Sequence, residues 1–278
     1  MVGLILLHLY YVLPLNAAQP ESINGPSLAN GHVPGYQIVK VLPHDPAAFT
    51  QGLLYENKKL YESTGRYGHS QLRIVTPANA HSIQTHRLAA RYFAEGLALV
   101  NNQLYQLTWR SGIGFIYDAE TLQLKGQFEY KGQGWGLTDD GESLIMSNGS
   151  DRLSWHAPES FKVIRSVRVT YNNQPVTHLN ELEYIEGEIW ANIWMSRWIV
   201  RINPETGQVN GWIDCSGLDP GNSKADVLNG IAYDKATGNI FLTGKYWSHI
   251  YVMQAVSSPK KPKCKCDIRN PPACKTNG

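Results

Sequence analysis

One hairpin is written five times into this chain. The copies are "QGLLYENKKLYESTG" from Gln51, "EGLALVNNQLYQLTW" from Glu95, "WGLTDDGESLIMSNG" from Trp135, "NELEYIEGEIWANIW" from Asn180 and "NGIAYDKATGNIFLTGK" from Asn229. Each opens with a non-aliphatic residue followed by Gly (Glu181 in the fourth copy) and then Leu or Ile, and each runs through a turn into a second strand. The starts lie 44, 40, 45 and 49 residues apart, close to the length of a four-stranded propeller blade. Two more strands fit into each interval, as at 114–117 and 123–130, or at 198–202 and 209–213. The last copy has room for one, 249–254, while segment 36–42 stands before the first copy without a local partner. Pairing these two closes the ring and leaves few exposed edges. The expected fold is therefore all-β, a five-bladed β-propeller of four antiparallel strands per blade, closed by the N-terminal strand. A β-sandwich is the rival, but it does not require whole hairpins at near-regular spacing with matching end residues.

In a propeller the innermost strand of each blade lines the central channel, so equivalent positions become neighbours around a ring. The first ring is Gln51, Glu95, Trp135, Asn180 and Asn229. Antiparallel partners lie about 5 Å apart, so the end of each second strand returns beside the start of the first. That gives a second ring of Gly65, Trp109, Gly149, Trp194 and Lys245. One channel mouth is thus expected to hold a carboxylate, an ammonium, three amides and three indoles, with the two glycines leaving space. Phe49 and Phe93, each two residues before a ring member, add apolar wall. An apolar wall with few polar groups suits a small-molecule pocket. Taken singly, the tryptophans read as core fillers, the asparagines as turn formers, and Glu95 and Lys245 as solvated strand ends. Their convergence at repeat-equivalent positions argues for a site.

Composition narrows the alternatives. With 15 Tyr, 8 Trp, 25 Gly and 15 Pro, the apolar runs are short and punctuated, which favours strands over helices. A net charge of +2, with basic residues dispersed outside the C-terminus, excludes a nucleic-acid footprint. There is no G-x-S-x-G elbow, P-loop or H-E-x-x-H, and the isolated pair His81 and His86 is not read as a metal site. The apolar run 2–15, followed by small residues, is expected to be a signal peptide over 1–18, directing export. It is shorter than the roughly 20 residues of a membrane span, so no stable membrane anchor is expected. Residues 19–34 then form a flexible leader, 35–256 the propeller and 257–278 a Cys-, Lys- and Pro-rich tail. Disulfides are expected between Cys215 and one of Cys264 and Cys266, and between Cys274 and the other, because a 264–266 ring is strained. Zinc binding is the alternative, disfavoured by the lack of a second ligand pair.

The stretches "FTQGL", "YFAEGL", "YQLTW", "GWGL", "LNELEY", "WANIW", "DVLNGIAYD" and "TGK" together resemble the plant-type glutaminyl-peptide cyclotransferases, which also occur in bacteria. They run in consistent order from Phe49 to Lys245. The resemblance implies a five-bladed propeller that converts N-terminal glutamine of peptides or proteins to pyroglutamate with release of ammonia, as a monomer without metal or cofactor. It implies Glu95, Asn180 and Lys245 as catalytic groups, and Gln51, Trp109, Trp135, Trp194, Phe49 and Phe93 as substrate-binding ones. The chemistry fits this inventory: a free α-amine has a pKa of about 7.7 to 8.0, so a useful fraction is already a nucleophile. What the reaction lacks is a near-attack geometry and a proton carrier. Two other function classes remain open. A propeller glycosidase needs two cooperating carboxylates, for which Glu181 and Glu183 are the only seconds to Glu95; a binding propeller would hold a peptide end at the same mouth without turnover.

Overall fold

Five four-stranded antiparallel sheets account for nearly all regular structure in the computed structural model, which describes Val33 and residues 35–256. The first blade comprises Thr50–Glu56, Lys59–Thr64, Gln71–Thr76 and His81–Arg87, and the second Ala94–Val100, Gln103–Thr108, Ile113–Asp118 and Leu124–Glu129. Leu137–Asp139, Leu144–Met146, Arg152–His156 and Val163–Arg168 form the third, and Leu179–Ile185, Glu188–Ile193, Trp198–Ile202 and Val209–Asp214 the fourth. The fifth uses Leu228–Asp234, Asn239–Gly244 and His249–Ala255, and its outer strand is Tyr36–Pro43, paired antiparallel with His249–Ala255. The expected closure is therefore present. A two-stranded excursion, Thr170–Tyr171 with Gln174–Pro175, lies between the third and fourth blades and was not anticipated.

Local sequence explains the blades. Two-residue hairpin turns at Asn57-Lys58 and Asn101-Asn102 take positive φ at both positions, and Glu186-Gly187 does the same; this backbone matches the right-handed twist of the flanking strands. Burial grades from axis to rim: Leu228–Asp234 on the axis is buried almost throughout, whereas His81–Arg87 on the rim alternates exposed and half-buried. The innermost strands touch in the cyclic order first, second, third, fourth, fifth and back to first.

Five apolar wedges fill the five gaps between neighbouring blades. Leu54, Ile74 and Leu72 meet Leu97, Leu104 and Phe115 between the first two, for example, and Leu53, Leu60 and Val75 meet Ala232, Phe241 and Val252 across the closing seam. At the axis, glycine is required by close approach. A Cβ on Gly96 would lie 2.3 Å from Leu137 N, and one on Gly136 would lie 1.9 Å from Asn180 O. The fourth copy has Glu181 at this position, and its carboxylate accepts from Leu53 N at 3.2 Å and Ile231 N at 2.8 Å, tying the fourth blade to the first and fifth.

A second buried network pins the seam where the N-terminal strand enters the first blade. Glu62 accepts from Thr50 Oγ1 at 2.7 Å and Arg73 Nε at 2.9 Å, and lies 3.1 Å from His44 Nε2; Arg73 also reaches Asp45 at 2.6 Å. Cys215 is buried, but Cys264, Cys266 and Cys274 lie outside the described residues, as do the signal-peptide segment, nearly all of the leader and the tail.

Candidate active site

The ring residues reach the channel mouth through backbone irregularities. In four blades the register of the inner hairpin breaks where the ring member sits, between Thr50 and Gly52, Ala94 and Leu97, Leu179 and Leu182, and Leu228 and Ile231. Such bulges re-aim a side chain out of the ladder, which is why Gln51, Glu95 and Asn180 do not follow the alternation of their strands. The second ring is held by a recurring hydrogen bond. Gly65 N, Trp109 N, Trp194 N and Lys245 N donate to the carbonyls of Phe49, Phe93, His178 and Val227 at 2.8, 2.9, 2.9 and 3.0 Å, each acceptor lying two residues before a first-ring member. The third blade departs from this rule, Gly149 N donating instead to Leu179 O.

The two rings enclose a cavity of about 310 Å³. Its wall contains all nine residues expected to act on substrate: Phe49, Gln51, Phe93, Glu95, Trp109, Trp135, Asn180, Trp194 and Lys245. Asn229 is placed differently from expectation. It is wholly buried beneath the wall, donating from Nδ2 to Gln51 Oε1 at 3.1 Å and Thr50 O at 3.0 Å, so it orients Gln51. The glycines also serve otherwise than expected: the space at Gly65 is filled by the ring of Phe93 and that at Gly149 by Trp135. Met195 and Asp226 complete the lining. Met195 directly follows a ring member and Asp226 opens "DVLNGIAYD", so adjacency was the available signal.

The aromatic wall has two halves. Phe49 packs on Phe93 at 5.9 Å and Phe93 on Trp109 at 5.6 Å; opposite, Trp135 meets Trp194 edge to face at 5.4 Å, and Trp194 stacks on His178. Trp194 remains 37% exposed at the mouth, whereas Glu95 is only 4% exposed. Burial among these rings pushes the Glu95 carboxyl well above its ordinary range, opposed by the charge of Lys245 and by the Gln51 amide. The same burial pulls Lys245 below its usual value, against the pull of Glu95 and Asp226. The Lys245 ammonium sits 4.7 Å above the Phe49 ring. Asn180 Oδ1 is buried without a hydrogen-bond partner, a group whose desolvation a bound ligand would offset.

Glu181 and Glu183 lie off this wall. Glu181 is spent on the axial N–H groups described above, and Glu183 accepts from Tyr233 N at 2.9 Å, so neither pairs with Glu95 across the cavity as a glycosidase would require. Among the described residues, no three His, Cys, Asp or Glu side chains gather to hold a metal ion.

Fold and pocket together define a five-bladed propeller whose indole-lined cavity holds a buried acid, Glu95, and a buried cation, Lys245, on one wall. Residues 8–255 match the sequence model of the glutamine cyclotransferase family, and the chain belongs to that family. A glutaminyl-peptide cyclotransferase from Arabidopsis thaliana is 40% identical over 259 residues, covering 90% of this chain and 80% of that protein. The crystal structure of Myxococcus xanthus glutaminyl cyclase is similar with a TM-score of 0.73 at 39% identity, over 79% of this chain and 95% of that one.

Proposed function

We infer that this chain is a glutaminyl-peptide cyclotransferase and that the cavity binds the N-terminal glutamine of a peptide. The observation that carries the assignment is the meeting of Glu95, Asn180 and Lys245, from three different blades, on one wall with five aromatic rings.

The rings grip the methylenes of the substrate side chain and fold it so that the α-amine faces its own carboxamide carbon, which supplies the near-attack geometry. As the new C–N bond forms, the Glu95 carboxylate takes a proton from the attacking nitrogen. The carbonyl oxygen gains negative charge, stabilised by Asn180 Nδ2 and the Lys245 ammonium. Glu95 then returns the proton to the former amide nitrogen, the C–NH₂ bond breaks, and ammonia leaves with the pyroglutamyl ring closed. A carboxyl raised by burial serves both transfers, because its affinity for the proton approaches that of the groups it trades with. Gln51, fixed by Asn229, keeps the carboxylate oriented.

Incubation with a Gln-initiated dipeptide is expected to release ammonia with a chelator present. Glu95→Gln is expected to lower kcat about 10²- to 10⁴-fold while the protein stays folded. Near-normal turnover by that variant would remove Glu95 from the mechanism. Export is proposed from the apolar run 2–15, and detection of the protein only inside expressing cells would count against it.

A further inference from the structure

The third blade breaks the repeat's hydrogen-bond rule at a residue that touches both halves of the aromatic wall. Gln133 stands two residues before Trp135, the offset occupied by Phe49, Phe93, His178 and Val227 in the other blades. Those four give their backbone carbonyls to second-ring N–H groups, but here Gly149 N turns to Leu179 O. The side chain of Gln133 is used instead. Its Oε1 accepts from Trp109 Nε1 at 2.8 Å and from Trp135 Nε1 at 3.0 Å. One carbonyl, with two lone pairs, thus holds two indoles that come from different hairpins and bound the same cavity.

We propose that Gln133 is a positioning residue for substrate binding: it joins the Phe49–Phe93–Trp109 half of the wall to the Trp135–Trp194 half and sets the tilt of both indoles. Two consequences follow from the geometry. Each indole N–H is consumed by Gln133, so the two tryptophans offer ring surface rather than donors to the glutamine side chain. Hydrogen bonding of that side chain then falls to Asn180, Gln51 and Lys245. Both indoles also become dependent on one acceptor, so its loss loosens two walls at once. A local departure from a repeat is where a functional constraint is expected to appear.

The inference rests on the cyclotransferase reading, and one arm of its test does not. In the wild-type protein, the indole N–H protons of Trp109 and Trp135, assigned with Trp109→Phe and Trp135→Phe, are expected to exchange slowly and to resonate downfield, whatever the substrate. Rapid exchange of both would overturn the proposal even if the enzyme is active. Gln133→Met keeps length and volume but removes the acceptor. It is expected to lower kcat/KM about 10- to 100-fold, carried mainly by KM, with loss of near-UV circular dichroism. A merely structural defect would instead reduce the active fraction, lowering kcat at unchanged KM. Gln133→Glu, isosteric and able to accept from both indoles, is expected to recover most of KM. A Gln133→Glu protein as impaired as Gln133→Met, or a Gln133→Met protein with wild-type KM, would refute the role. Should Gln133→Met fail to fold, the exchange measurement and Gln133→Glu still decide the matter. If wild-type protein forms no pyroglutamate, the functional reading fails while the exchange result stands by itself.

Discussion

Adding one methyl group at Gly65 tests whether the cavity wall is built as described. Gly65 directly follows the second strand of the first blade, and its φ lies outside the left-handed region, so only space opposes a side chain there. An ideal Cβ would sit 2.3 Å from Phe93 Cε1, 2.9 Å from Phe93 Cζ and 3.0 Å from Gln51 Cγ, against an ordinary contact of 3.4–4 Å. The Phe93 ring must therefore retreat by about an ångström or more. It has little room, being packed against Phe49 at 5.9 Å, Tyr67 at 5.4 Å and Trp109 at 5.6 Å. Displacement is forced into the cavity beside Glu95, or into the indole behind it. Overpacking of this kind costs about 1–3 kcal/mol of stability, and a misplacement of about 1 Å at a reacting centre costs about 10²-fold in rate. Gly65→Ala is thus expected to lose about 10²-fold in kcat/KM, by ammonia release from a Gln-initiated dipeptide, with a modest fall in urea midpoint. Gly126→Ala is the control: it lies on the outer strand of the second blade, where the nearest atom to an added Cβ is Ile116 Cδ1 at 3.9 Å, and activity is expected to be unchanged. Wild-type kcat/KM in a folded Gly65→Ala protein would show that Phe93 does not stand where the wall requires it.

The remaining predictions concern buried charge. Burial raises the Asp139 carboxyl to about 6 from 3.8, so between those values the native state holds a proton that the unfolded chain has lost, and stability falls as pH rises through the window. Asp139→Asn removes this loss, and its stability relative to wild type should grow by about 2 kcal/mol from pH 4 to pH 6.5, in urea titrations; parallel curves would contradict the assignment. Glu62 is the opposite case: Arg73 and His44 hold its carboxyl far below the usual range despite burial, so its contribution is present at neutral pH and is lost as pH falls below about 4.5. Glu62→Gln leaves Arg73 short of its buried partner and is expected to cost about 3–5 kcal/mol at neutral pH, the gap narrowing in acid, whereas a loss under about 1 kcal/mol would mean that this network does not hold the seam.

Radial symmetry made much of the site legible in the sequence. Once five hairpins are aligned, the ring positions follow by counting, and Gln51, Glu95, Trp109, Trp135, Asn180, Trp194 and Lys245 all reach the cavity as counted. What counting cannot supply is depth and direction. Asn229 occupies a ring position yet lies below the wall, because its amide is drawn to Thr50 O and Gln51 Oε1 across the seam. Gly65 and Gly149 read as vacancies, but each admits an aromatic ring, from the next blade at Gly65 and from Trp135, just before the first strand of the same blade, at Gly149. The excursion at 170–175 and the three-residue inner strands of the third blade leave no periodic trace. Gln133 was within reach, since Phe49 and Phe93 mark the same offset. Its polar character hid it: a search for apolar wall passes over an amide, and only the two converging indole N–H groups reveal its use.

Three glutamates on inner strands show how this fold assigns chemistry to one of them. Glu95, Glu181 and Glu183 are all buried enough to raise their carboxyls well above the ordinary range. Burial alone therefore does not select the catalytic acid. Glu181 accepts backbone N–H groups from two other blades, and Glu183 accepts one from Tyr233. Moving a proton or a torsion at either would break bonds that hold the axis together. Among the described residues Glu95 has no backbone donor; its partners are the Gln51 amide and the charge of Lys245, and the cavity opens beside it. Its protonation can change without breaking a backbone hydrogen bond between blades. The carboxylate free of backbone hydrogen bonds is the one free to exchange a proton, and the bulge at the start of its strand is what removes it from the ladder.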